Sequence, residues 1–355
     1  MNYNMNYIKF NYKTTLPKEA NSPSVTIGGD LLFDYNVKFQ IKTSNGLELI
    51  KEIQCRTGET VFANYSQKYL DWVISIYHNN FYVTEDVFDV TNKVVFIKMD
   101  ATALGDNIAW IPYIEEFRKT RNCTVICSTF FNDLFKDIYP NILFVQPNTN
   151  IDNIYTQYYI GATYDNNIKY SPVNADSVPL QEIPSAILKL PNVELRPPLE
   201  LLFNKTKQHK KYVCISEYAS HENKHWKYNN GWQIIVNYLN SIDYDVYVIS
   251  KEPTTLNNVI NLTGNIPLID RVRTLRNADF FIGLSSGLSW LSWAVNTHVF
   301  MISDVTPSHH EFKSNITRIC ANNDMLKIDY NTPNITSSDI VIDNIKNYLE
   351  LKDIY

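Results

Sequence analysis

No run in this sequence approaches the roughly 18 uninterrupted apolar residues of a membrane-spanning helix, so no such helix is expected. The first residues lack the charged-then-apolar order of a secretory signal, and the chain reads as cytoplasmic with no membrane partner. Basic runs are also short. The longest, Lys205-Thr-Lys207-Gln-His-Lys210-Lys211, reads as a solvated linker in a chain of net charge −5. A protein that holds nucleic acid by charge alone carries a basic stripe, so this balance weakens such a role; a local basic groove still fits it. Cysteine is sparse and scattered at Cys55, Cys123, Cys127, Cys214 and Cys320. Cys123 and Cys127 lie in an apolar strand pattern, and no second Cys or His pair stands at metal spacing. Buried thiols are expected, with no metal and no cofactor. Glycine numbers only 10 against 24 tyrosines. An AT-rich coding sequence produces that bias without a functional cause; a Tyr-rich surface that stacks sugars or bases is the alternative.

What is present is a chain of 355 residues, 45% hydrophobic, enough for sizeable cores and too long for one, so two or three packing units are expected. Residues 1–92 are a series of short alternating runs, at 36–42, 47–55, 59–65 and 82–90, separated by Ser44-Asn45-Gly46 and Thr57-Gly58 turns. An amphipathic segment from Lys68 to Tyr77 interrupts the series, and the whole reads as a small β barrel or sandwich. Residues 93–195 open on Lys93-Val-Val-Phe-Ile-Lys98, a run suited to a buried parallel strand. A helix from Asp106 to about Lys119 and strands at 122–127 and 141–146 follow. Six prolines between Pro172 and Pro198 then predict an extended, semi-rigid linker. Residues 196–336 restart the alternation of strand and helix, and a tail helix fills most of 337–355. The fold class is therefore α/β: two Rossmann-like doubly wound units behind a β-rich module.

Open parallel sheets bind their ligands at the carboxyl ends of the strands, and that rule selects four loops. In Ala101-Thr-Ala-Leu-Gly105-Asp106-Asn107-Ile108, the aspartate is either a helix N-cap or a general base facing a cleft. Ser216-Glu-Tyr-Ala-Ser220-His-Glu-Asn-Lys224 offers hydroxyls and one lysine to a diphosphate, or is a polar surface loop. His221 and His225 there lack a third ligand. Gly283-Leu-Ser285-Ser286-Gly287-Leu288 runs from strand into helix, an anion-binding arrangement or a tight turn. Ser303-Asp-Val-Thr306-Pro-Ser-His309-His310-Glu311-Phe312 borders the same cleft, and its adjacent histidines point apart, against a metal site.

Taken in order, these loops resemble the heptosyltransferase superfamily and are most similar to the bacterial autotransporter O-heptosyltransferases. The resemblance covers residues 30 to 312. It is carried by Lys98-Met-Asp-Ala-Thr-Ala-Leu-Gly-Asp-Asn-Ile-Ala-Trp-Ile-Pro-Tyr-Ile-Glu-Glu-Phe-Arg118, Cys214-Ile-Ser-Glu-Tyr-Ala-Ser-His221, Asn230-Gly-Trp-Gln233 and Phe281-Ile-Gly-Leu-Ser-Ser-Gly-Leu-Ser-Trp-Leu-Ser-Trp293. It implies a GT-B fold, with an acceptor-side domain at 93–195 and a nucleotide-sugar domain at 196–336. It also implies an inverting, metal-independent transfer from an ADP- or UDP-linked sugar to an acceptor hydroxyl. Asp106 takes the place of the base and Lys224 that of the lysine at the donor diphosphate. Ser285, Ser286, Gly287 and Leu288 hold the phosphates, with Ser216, Ser220, Thr263 and Gly264 lining the donor pocket. Gly105, Asn107, His309 and Glu311 fall to the acceptor side or cleft. The family's cysteine-ligated iron finger has no counterpart in the sequence after Phe312, where only Cys320 stands. That departure leaves oligomeric state and acceptor open: a protein serine, or in a phage enzyme the 5-hydroxymethylcytosine of DNA with a sugar such as arabinose. A sugar-binding protein without catalysis is the third reading.

Overall fold

The structure, a computed structural model, describes residues 6–12, 23–65, 69–99, 101–162, 171–206, 208–321, 328–329, 331, 333 and 335–354. Period-two alternation builds the first part. Seven strands run in order: β1 (Tyr7–Asn11), β2 (Ser24–Gly28), β3 (Asp34–Thr43), β4 (Gly46–Arg56), β5 (Thr60–Phe62), β6 (Trp72–His78) and β7 (Phe81–Val87). They pair antiparallel in two sheets, β1-β2-β5 and β4-β3-β6-β7. On β3, Tyr35, Val37, Phe39 and Ile41 point inward while Asn36, Lys38 and Gln40 stay half-exposed. With Val25 and Ile27 of the opposing sheet they form one core, so the module is a sandwich. The segment 68–77 does not interrupt the strands. Its second half is β6, an inner strand between β3 and β7, and Trp72 to Ile76 are buried on both faces, which hides the alternation. Lys68 lies outside the described residues.

The next unit is parallel. It contains β8 (Val94–Lys98), α1 (Leu104–Arg121), β9 (Thr124–Ser128), α2 (Asn132–Phe135), β10 (Ile142–Val145), β11 (Thr156–Tyr159) and α3 (Glu182–Leu188), with the sheet in the order β10-β9-β8-β11. Helix α1 ends where Asn122 turns left-handed and its N–H returns to the carbonyls of Arg118 and Lys119. Its length is buried almost all round, with Ile108, Trp110, Ile111, Ile114 and Phe117 inside. The proline-rich stretch is not simply extended, since it contains α3. Pro184 sits in the first turn of that helix, where a missing N–H breaks no helical bond. The stretch is anchored to α1 by the Trp110 indole N–H, which donates to the Leu180 carbonyl at 3.1 Å.

The last unit comprises β12 (Tyr212–Ile215), α4 (Gly231–Ser241), β13 (Asp245–Val248), β14 (Ile260–Asn261), α5 (Leu268–Asn277), β15 (Phe281–Leu284), α6 (Gly287–Ala294), β16 (Val299–Ile302), β17 (Ile316–Ile319) and α7 (Ser338–Ile354). All six strands are parallel, in the order β14-β13-β12-β15-β16-β17. Helices cover both faces, which is why β12, β15 and β16 are buried along their whole length. Strand order reverses between β12 and β15, and the crevice at that reversal is where such sheets receive ligands. Helix α6 turns its Trp290 toward α1, and residues of both helices share one continuous core. That contact brings the two parallel units face to face.

Candidate active site

Two glycines set the approach of α1 to α6. A Cβ on Gly105 would lie 2.9 Å from Trp290 Cδ1, and one on Gly287 would lie 2.9 Å from Leu104 Cβ and 3.3 Å from the Gly105 nitrogen. Only hydrogen fits at either place, so the N-termini of the two helices abut. The Asp106 turn thereby meets the Ser285–Gly287 turn that follows β15. The loop after β12 closes the third side: Lys224, ending a short 3-10 turn from Glu222, sends its Nζ to the Ser285 carbonyl at 3.3 Å. Asp106, Lys224, Ser285, Ser286 and Gly287 thus converge at the reversal of strand order.

Asp106 is not the N-cap of α1. The helix starts two residues earlier, Ala103 takes the cap position without a side-chain bond, and Asp106 lies inside the first turn. There the positive end of the helix favours its charge. Burial opposes this more strongly and pushes its carboxyl up to about 6, with Lys224 pulling the other way. Lys224 mirrors it: burial lowers its pKa, while Glu311 first and Asp106 second raise it. A carboxylate poised near neutrality and a desolvated ammonium therefore share one cleft.

On the opposite side, Ser286 is the N-cap residue of α6, yet its hydroxyl does not bond the helix and has no partner among the described residues. The Ser289 amide donates to the Ser286 carbonyl at 3.1 Å, whereas the Gly287 and Leu288 amides precede the first helical bond, an arrangement suited to an anion. Leu288, half-buried, follows in that turn. The residues expected on the donor side lie across the ends of β12 to β14. Ser216 is buried, 3.4 Å from the Ser250 hydroxyl, and Ser220 is exposed. Gly264, at φ +107° with open space around it, follows Thr263 and donates its N–H to the Ser250 carbonyl at 3.2 Å. Arg271 was not anticipated. Its Nη2 donates to the carbonyls of Gly264 (2.7 Å) and Ser250 (3.3 Å), and burial lowers its pKa. The signal was there to read: an arginine on the buried stripe of α5, beside Val272 and Leu275.

Two expected cleft residues turn out to be internal. Asn107 is fully buried; its Nδ2 donates to the carbonyls of Ala101 (2.8 Å) and Ala103 (2.9 Å), and its Oδ1 accepts from Thr129 (2.6 Å). It shapes the loop and offers nothing to an acceptor. Glu311, 3% exposed, faces the Ser285–Gly287 turn: it accepts from the hydroxyls of Ser285 and, at 3.1 Å, Thr306. His309 is half-buried beside it, and Gly105 is packed against Trp290. The loop carrying His309 and Glu311 is pinned by Asp304, which accepts from the amides of Ile335 and Thr336, both at 2.9 Å. Cys320 follows β17 and is half-exposed. Among the described residues no three His, Cys, Asp or Glu are grouped to hold a metal, and no helix is long and apolar enough to cross a membrane.

Comparison with known proteins fits this geometry. Residues 196–311 match glycosyltransferase family 9 (heptosyltransferase). The autotransporter heptosyltransferase Aah of Escherichia coli is 34% identical over 240 residues, 64% of this chain and 61% of Aah. The chain thus spans about three fifths of that relative's length. An inactive autotransporter heptosyltransferase, BimC of Burkholderia thailandensis, is 27% identical over 267 residues, 72% of this chain and 63% of BimC. Among solved structures, dodecameric iron-containing heptosyltransferase TibC in complex with ADP-D-beta-D-heptose superposes with a TM-score of 0.80 at 22% identity, covering 96% of each chain. The chain therefore has the GT-B fold seen in these heptosyltransferase structures, and its residues 196–311 are similar to glycosyltransferase family 9.

Proposed function

We propose that this protein is an inverting glycosyltransferase that moves a heptose or related sugar from an ADP-linked donor to a hydroxyl, with a protein serine as acceptor. The reading is carried by one juxtaposition: the Asp106 carboxyl, pushed up to about 6, opposite the cation and amides of Lys224 and the Ser285–Gly287 turn. A base of that pKa is ionised at neutral pH yet strong enough to accept a proton from an attacking hydroxyl. The acceptor oxygen would bond to the anomeric carbon as the bond from that carbon to the diphosphate oxygen breaks. The acceptor's proton would pass to Asp106, and the charge appearing on the diphosphate would be met by Lys224 and the α6 amides. Attack from the side opposite the leaving group inverts the anomeric centre. ADP as carrier is supported by the ligand named for TibC, and a protein acceptor by the autotransporter enzymes among the relatives. A hydroxymethylated DNA base gains no such support.

The inactive relative makes the activity worth testing directly. Purified protein is mixed with ADP-heptose, or with UDP-sugars, and a serine-rich polypeptide. Sugar transfer is followed by intact-mass spectrometry, and donor binding by thermal unfolding. The ADP-linked donor is expected to add its sugar to the polypeptide and to raise the melting temperature. A saturating donor that binds without any transfer would reduce the protein to a sugar-nucleotide binder. No shift with any nucleotide sugar would remove the reading altogether.

A further inference from the structure

Glu311 is a buried carboxylate with half its hydrogen bonding missing. Oε1 accepts from Ser285 and from Thr306, whereas Oε2 has no donor among the described residues. Leaving a buried charged oxygen without a donor is costly unless a cation lies near. The cation is Lys224, tied to the same residue by its bond to the Ser285 carbonyl, so lysine, serine and glutamate are contiguous. The charges acting on Lys224 come from three sources. Asp106 approaches from α1, Glu311 from the loop after β16, and His310 from that same loop. His310 is buried and driven toward its neutral form, chiefly by that burial, so it competes little.

We propose that Glu311 is a positioning residue: the buried counter-charge that keeps Lys224 a cation while the cleft is empty and yields it to a diphosphate when the cleft fills. The inference rests on the reading of the cleft as a nucleotide-diphosphate site. Asp106 is then only the second partner of the lysine, which leaves its carboxylate free to take a proton. Burial opposes the charge of Lys224, and Glu311 is the largest influence sustaining it. The placement also gives Ser285 a double task, its carbonyl on the lysine and its hydroxyl on the glutamate.

The test is ADP affinity, measured by calorimetry across neutral to alkaline pH. Wild-type affinity should fall as Lys224 loses its proton. In E311Q that fall should begin about one pH unit lower, while affinity at the neutral end is kept or improved, because a negative charge near the diphosphate has gone. A purely structural role would weaken binding equally at every pH. In K224R the alkaline fall should vanish, since arginine does not titrate there. If E311Q proves too unstable, the triple variant S285A/T306V/E311L removes the donors with their acceptor and should show the same displaced fall. An alkaline fall that coincides in wild type and E311Q, or one that persists in K224R, overturns the proposal. Should wild type bind no nucleotide, the reading of the cleft fails instead. The lysine can then still be followed by NMR of its Nζ, and an unmoved titration in E311Q would refute the inference independently.

Discussion

Asp106 carries its charge at a cost to the fold. Its folded-state pKa, about 6, lies above the ordinary carboxylate value of 3.8. Below pH 4 the group is protonated folded or unfolded, and its stabilising preference for the proton is fully present. As pH rises toward 6 the unfolded chain ionises first, so stability falls, and above 6 the loss is complete. D106N escapes this penalty. Its melting temperature should match wild type near pH 4 and exceed it above pH 7, by a margin worth about 1–3 kcal/mol. Thermal unfolding across that range checks it, and a constant offset would contradict it. The same substitution should cut transfer roughly 10²–10⁴-fold. In wild type, kcat/KM should rise with unit slope and level off above a pH of about 6 if Asp106 is the base.

At the scale of elements, the decisive contact is the crossing of α1 and α6. In G287A the new methyl meets Leu104 Cβ and, at 3.3 Å, the backbone of Gly105, which cannot rotate aside as a side chain can. The expected cost is about 1–3 kcal/mol, with weaker donor binding because the displaced turn carries Ser286. Chemical denaturation and calorimetry on one preparation test both parts. This contact was only half legible in the sequence. The two small-residue turns could be read, because strand, turn and helix follow one another within a few residues. That Gly105 and Gly287 face one another across the molecule depends on 181 intervening residues, and no local pattern records it. Strands β8, β12 and β16 stood out as apolar runs because both faces are covered. Strands β11 and β17 did not. They carry polar residues such as Gln157 and Arg318, and lie at sheet edges where packing asks less of them. Helix α3 hid behind its proline, and the burial of Glu311 could not be read because burial of a charge is settled by partners distant in sequence.

The molecule as a whole is tied together by the segment preceding β12. Glu194 accepts from the amides of Lys313 and Ser314 and from the Ser314 hydroxyl, and Leu180 donates to the His310 carbonyl at 3.2 Å. The segment that leaves the first parallel unit therefore grips the loop holding Glu311. E194A should lower global stability by about 1–3 kcal/mol and weaken ADP binding, although Glu194 lies outside the cleft. Nucleotide at a hundred times its dissociation constant should restore roughly 2.7 kcal/mol of stability. A variant that loses stability yet binds ADP like wild type would show that the strap and the site are uncoupled.

Trp290 gives this cleft an optical handle. Its indole lies against Gly105, one residue from Asp106, and stands edge-on to Trp293 and Phe312. Any ligand that parts the two helix ends must change the surroundings of that ring. Subtracting the emission of a W290F variant from that of wild type isolates its contribution from the other five tryptophans. Occupancy of the site could then be followed in real time, without a label, from the fluorescence of the protein itself.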